Sequence, residues 1–308
     1  MKKDIGKRVK FNSRYYLHPT DQSFTEMGRS GMGRCEDITN MQTYGARSLA
    51  IATAADYTPA WARGNNNHAW NVLLDKNGKG AQLSYSHAAK IYRKTYAIQR
   101  DCLAFQLPKG KDAPNRFLKS TTYIDVTDQY GDCFDITVDL DPSVVGKDKF
   151  AYLCVFNSGR WTAIHWGPIQ GNRVTFDRMG GNICYLPAIH DGEKLVPAAD
   201  PIIVHKDGST ERLRGLSEGA SGLLTATSGK QKNVDTLIET PTSYLKQGKT
   251  YEFFFWDNGW QKIDTFVAGE APYPFQRLPK DGLYWLSEKD YRKQERIFTL
   301  ENGRQRWW

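Results

Sequence analysis

Gly33-Arg34-Cys35-Glu36-Asp37 and, further on, Asn65-Asn66-Asn67-His68-Ala69-Trp70-Asn71-Val72-Leu73-Leu74 are the two stretches from which the remaining sequence is read outward. From Cys35 to Leu49, the positions of Ile38, Met41, Gly45 and Leu49 fall on one helical face, with Cys35 at the start. Ala50 to Tyr57 reads as a short strand closed by Thr58-Pro59. A polar loop, Arg63 to Asn67, then leads into an extended segment, His68 to Leu74. Asp75-Lys76-Asn77-Gly78 is a hairpin signal, because Asn-Gly readily supplies positive φ angles. The return strand is expected at Ala81 to Ser86, followed by a helix from His87 towards Tyr96. Thiol chemistry needs a thiolate, an imidazole that forms it, and a group that fixes the imidazole tautomer. A helix N-terminus favours the anion. Cys35 is therefore the candidate nucleophile and His68 its candidate base, although a lone Cys and a lone His are more often structural.

The segment GRCED, the helix and strand running to DYTPAW, and NNNHAWNV together resemble the core of the transglutaminase-like superfamily of papain-type folds, over about residues 15–95. FNSGRW (156–161), YEFFFWDNGW (251–260) and ERIFTLENGRQRWW (295–308) are similar to multidomain transglutaminase-like proteins of Bacteroidetes. The resemblance implies that Cys35 attacks a carboxamide or peptide carbonyl to form a thioester. His68 would deprotonate it and then protonate the leaving amine. The backbone N–H of Cys35 would meet the oxyanion, with Gln22 a candidate second donor. Trp61 and Trp70, flanking His68, are the expected substrate-binding residues. The family also expects an Asp about sixteen residues beyond the His, where this chain has Ser84. Asp75 is excluded, since seven strand positions at about 3.3 Å each place it roughly 23 Å from His68. Ser84, Ser86 or Asn71 are left to accept the imidazole N–H, with Ser84 taken as the third site residue. Loss of such a carboxylate costs about ten thousandfold in a comparable triad, so weakened catalysis is expected. The short lead before Cys35 points to an N-terminally truncated core. Relatives are secreted or attached to the cell envelope, yet the basic start of this chain is followed by no apolar signal segment.

Shifting the chain by 99 residues superposes Tyr152 on Tyr251, Phe156 on Phe255, Trp161 on Trp260, Ile164 on Ile263, Phe176 on Phe275, Arg178 on Arg277 and Tyr185 on Tyr284. These identities read as a duplication. The repeated aromatics are expected in the core rather than as a sugar platform. The expected fold class is α+β. It comprises an N-terminal transglutaminase-like, papain-type domain (1–102), a Lys-, Pro- and Gly-rich linker (103–120), and two β-sandwich-like modules (121–210 and 211–308).

The net charge of +8 and pI of about 9.1 raise nucleic acid as a partner, but the basic residues are spread along the chain, so solvated surface charge is the reading. The five cysteines form no CxxC or Cys/His metal pattern. No Ca²⁺ loop or nucleotide loop is visible, so neither metal nor cofactor is expected. No apolar run is long enough to span a membrane. The expected partner is a protein or peptide substrate, with hydrolysis favoured over transfer to an amine. The alternative is an inactive scaffold that binds envelope glycans.

Overall fold

The computed structural model describes residues 2–80, 88–224, 245–271, 273–291 and 295–308. The chain is mostly β, with 42% strand, 15% helix and, among the described residues, five short helices. It is built from several sheets and a half-barrel, which corrects the expectation of an α+β papain-type domain followed by β-sandwiches. Two physical reasons account for the difference. Among the described residues, only Cys35–Arg47, with 13 residues, exceeds two helical turns, so those of the first domain form no helical layer. Among the described residues beyond it, the expected helix towards Tyr96 instead contains a strand, Tyr92–Lys94.

The Cys35–Arg47 helix begins with Glu36 and Asp37 and ends with Arg47, charges that complement its dipole. The buried Asp37 carboxylate accepts the Arg34 N–H at 3.0 Å and the Gln22 N–H at 2.8 Å. Gly33 is needed here, because a Cβ would lie 2.8 Å from Asp37 Cβ. The helix buries Cys35, Thr39, Thr43 and Ala46 along one stripe. Asn71 shows where that stripe points, with its Nδ2 donating to Thr39 O at 3.0 Å and Thr43 Oγ1 at 2.6 Å. The face expected to be the core stripe is different: Ile38 and Met41 pack on Ile5, Val9 and Met27, and Leu49 is exposed.

Beneath this helix lies an antiparallel sheet in the order His68–Leu73, Thr53–Thr58, Tyr92–Lys94, Tyr123–Asp125. The turn after His68–Leu73 forms at Asp75, whose Oδ1 accepts the Asn77 and Lys79 N–H groups, each at 2.8 Å. Gly78, not Asn77, takes the left-handed conformation. The expected return strand 81–86 falls outside the described residues.

The second body is one eight-stranded antiparallel sheet rather than a sandwich. Its order is Thr210–Arg212, Ile202–Val204, Ile183–His190, Phe150–Asn157, Arg160–Gln170, Arg173–Gly180, Cys133–Asp139, with Leu195–Pro197 also on Ile183–His190. Register shifts at Leu153/Cys154 and Phe176/Met179 bend and twist this sheet. The third body is a five-stranded sheet, Trp260–Val267, Thr250–Trp256, Tyr284–Glu288, Ile297–Glu301, Arg304–Trp307, beside the pair Gly219–Leu224 and Tyr273–Pro279.

The 99-residue identities fall on corresponding strands. Arg178 and Arg277 both have left-handed backbones, φ 50° and 55°, where arginine is uncommon. Each N–H donates to a side chain of the paired strand, Asp135 Oδ1 at 2.8 Å and Ser221 Oγ at 3.1 Å. The Tyr185 hydroxyl donates to Gly180 O at 2.7 Å and the Tyr284 hydroxyl to Pro279 O at 2.8 Å. Within the expected linker, residues 103–120, Leu103 and Leu118 are fully buried and pack with Tyr152, Phe156 and Trp285. Among the described residues no helix is long and apolar enough to cross a membrane.

Candidate functional site

Cys35 occupies the first position of its helix, 7% exposed. The N–H groups of a first turn have no intrahelical acceptor, so this end of the helix offers donors beside the sulfur. The Ala69 backbone N–H is directed at Sγ. From the other side a 3₁₀ turn, Ser13–Leu17, capped by the Asn12 side chain, brings the Tyr16 hydroxyl to 3.6 Å from Sγ. The thiol itself donates to Glu36 Oε2 at 3.1 Å. Asn67 Nδ2 donates to the other carboxylate oxygen, and Arg34 Nε lies 3.5 Å from Oε2. Cys35, Glu36 and Asn67 thus form one relay. Tyr16, Glu36 and Asn67 were not singled out from sequence, although the last two are the immediate neighbours of the Cys and the His.

The electrostatics follow from this geometry. Burial pushes the Cys35 thiol up to about 11, and the Glu36 carboxylate adds to the rise. The Tyr16 hydroxyl and the Ala69 N–H pull in the opposite direction by stabilising the thiolate. Burial also raises the Tyr16 phenol, reinforced by Cys35 and Glu36. Burial lowers His68 below its usual value, opposed by Glu36. At neutral pH the resting pair is therefore a thiol and a neutral imidazole.

The histidine strand alternates, as strands do. Asn71 faces the helix, while Trp70 and Val72 belong to the cluster with Ala54, Ile91, Val126 and Tyr130. The His68 ring stacks 5.9 Å from Trp61 and lies 5.7 Å from Trp70. Trp70 is buried and donates its indole N–H to the Tyr130 hydroxyl at 2.8 Å. It is a core residue supporting the imidazole, not a substrate-binding surface. Trp61 is half-buried over the same ring. Among the described residues, the hydrogen-bonding partners of Cys35 are Tyr16, Glu36 and Ala69, so at rest the S–H is directed at a carboxylate. Gln22 is also reassigned. Its Nε2 donates to Asp37 Oδ2 at 3.1 Å and Met32 O at 3.0 Å, and both commitments hold the helix start. Asn71 is committed to the helix and Asp75 to its turn. Ser84 and Ser86 lie outside the described residues.

The loop before His68 is gripped by the distant strands. Asn157 Nδ2 donates to Trp61 O (2.9 Å), Gly64 O (3.2 Å) and Asn66 O (2.9 Å). Ser158 N–H donates to Asn65 Oδ1 at 3.1 Å, and Asn66 N–H to Ser158 Oγ at 3.2 Å. The fully buried Arg296 guanidinium donates to the carbonyls of Ala62, Gly64, Phe156 and Trp308. Beside this loop opens a groove of about 690 Å³, lined by Asn65 to Asn67, Asn157 to Arg160 and Tyr291. The thiol is two hydrogen bonds from its wall, through Glu36 and Asn67. No protein-family model matches the chain, and comparison with curated proteins finds no matching relative. Among the described residues no group of three or more His, Cys, Asp or Glu is placed to hold a metal ion.

Proposed function

We propose that the protein is a thiol acyl hydrolase, of transglutaminase-like chemistry, acting on carboxamide or peptide bonds through Cys35. The observation that carries this reading is the seating of Cys35 Sγ at a helix N-terminus, against the Ala69 N–H and one residue from His68 in the strand. Sγ bonds to the substrate carbonyl carbon, and the thiol proton passes to His68 once the S–H has left Glu36 and the imidazole has turned out of its stack with Trp61. Collapse of the adduct breaks the C–N bond, and the same proton leaves with ammonia or the amine. Water then cleaves the thioester, releasing the acid and restoring the thiol. The raised thiol makes this a slow enzyme at neutral pH, with activity climbing towards pH 11. Intact-mass analysis after incubation with a blocked glutamine peptide tests the reading. An acyl adduct on Cys35, with ammonia released and both lost in Cys35→Ala, supports it; ammonia release undiminished in Cys35→Ala ends it.

A second reading is favoured by that same raised thiol: a scaffold with a silent site, which would bind envelope glycans. It requires a Cys35→Ala variant to retain all glycan binding, and a glycan array without hits removes it.

A further inference from the structure

The groove beside the histidine loop carries one charge among its described lining residues, the guanidinium of Arg160. The other walls are neutral: the amides of Asn65 to Asn67 and Asn157, the Ser158 hydroxyl, Tyr291 and a floor of Pro59 and Ala60. Arg160 begins the strand Arg160–Gln170 at the tip of the hairpin whose Asn157 and Ser158 hold the histidine loop. Its side chain is exposed, and among the described residues no carboxylate pairs with it. Nearby, Arg34 pairs with Asp21 at 2.6 Å, Arg296 donates to backbone carbonyls and Arg63 lies over the Trp308 ring. On its far side Arg160 borders a second cleft, where Glu193 and Lys194 offset one another. The groove volume lies in the range of ligand clefts, about 300–1,000 Å³.

We infer that this groove binds an acidic peptide, the acyl donor of the proposed reaction, with Arg160 pairing to a substrate carboxylate. This rests on the thiol reading for the reaction, but not for the binding. A planar guanidinium takes a carboxylate in two parallel hydrogen bonds, a geometry a carboxamide does not match. Asn65 Nδ2, Asn67 Oδ1 and the Asn66 amide, which the loop clamp does not use, supply donors and acceptors for an extended peptide backbone. The wider charge of +8 draws such a substrate in without selecting it.

The test measures fluorescence anisotropy of two labelled, end-blocked hexapeptides with a central Gln, one flanked by Glu and the other by Gln. Both are titrated into the full-length Cys35→Ala chain, so that binding is read without turnover. The acidic peptide is expected to bind on the order of tenfold tighter at low salt, with the gap closing as NaCl is added. Arg160→Gln should erase the preference, and Arg160→Glu should turn it against the acidic peptide. Equal binding of the two peptides, or a preference unchanged in Arg160→Gln, overturns the inference. The wild-type chain is then mass-analysed with both peptides. Acylation of Cys35 at equal rates by the two sinks the acidic preference while leaving the thiol reading standing. Selective binding with no acylation sinks the thiol reading while leaving the groove assigned.

Discussion

At the scale of single residues, reactivity turns on a thiol whose closest acceptor is its own neighbour. Glu36 raises the Cys35 pKa both by its charge and by accepting the S–H, while Tyr16 lowers it by donating to the thiolate. Removing each should therefore act in opposite directions. Glu36→Gln takes away a like charge while keeping an oxygen for Asn67, so the thiol titrates lower. A drop of one unit gives about tenfold more thiolate at neutral pH. Iodoacetamide labelling of Cys35, read by peptide mass mapping, should accelerate by that order in Glu36→Gln. Tyr16→Phe should slow it several-fold at the same pH. Labelling that slows in Glu36→Gln would mean the carboxylate acts as a base for the thiol rather than as a repelling charge. The sequence made Cys35 legible as a helix start, since Gly33-Arg34 precedes the helical run. It could not show where the S–H points. That depends on a side-chain rotamer of Glu36 set by Asn67, 31 residues further on.

At the scale of elements, what was legible followed from local periodicity. The cysteine helix, the strand after it, the histidine strand and the turn at Asp75 all lie where spacing and turn chemistry put them. The buried face of that helix was misread, because its sheet-facing stripe is built from threonines and an alanine. Apolar spacing singled out instead the side that packs on the N-terminal segment. The half-barrel was not legible either, since curvature enters at bulges that interrupt alternation by one residue. The largest omission is the clamp on the histidine loop, whose donors lie 91 to 234 residues from their acceptors. Asn157→Ala removes the amide that serves three loop carbonyls in a buried site. Unsatisfied groups of this kind cost about 1–3 kcal/mol. We expect the urea midpoint to fall accordingly, and amide exchange across residues 61–67 to speed up more than in the strands on either side. Uniform acceleration across the whole chain would show that Asn157 serves global stability rather than this loop.

At the scale of the whole molecule, the first sheet and the eight-stranded sheet are joined by a buried polar network. Lys90 Nζ is fully buried and donates to the Asp125 carboxylate and to the carbonyls of Asp177 (2.5 Å) and Arg178 (3.1 Å). His165 Nε2 lies 2.7 Å from Asp177 Oδ1, and Nδ1 lies 3.0 Å from the Tyr92 hydroxyl, which donates its proton to Ile164 O at 3.0 Å. Through Tyr92, the His165 ring also joins the two bodies. Burial holds His165 below its usual pKa, and the adjacent Lys90 ammonium lowers it further. The His165 hydrogen bond depresses Asp177 as well. As pH falls below about 6.5, the unfolded chain takes up a proton at His165 that the folded chain refuses, so stability declines. Below the usual Asp range the same holds for Asp177, and the decline steepens. Each loss is complete once pH passes the folded value of its group. One refused proton bounds the slope at about 1.4 kcal/mol per pH unit. Urea unfolding at pH 7.5, 6.0 and 5.0 should show midpoints falling with acid. A His165→Gln variant, less stable at pH 7.5 because the ring's contacts with Tyr92 and Asp177 are lost, should show a flatter dependence over that window. Parallel slopes in the two proteins would place the acid sensitivity elsewhere and leave His165 a packing residue.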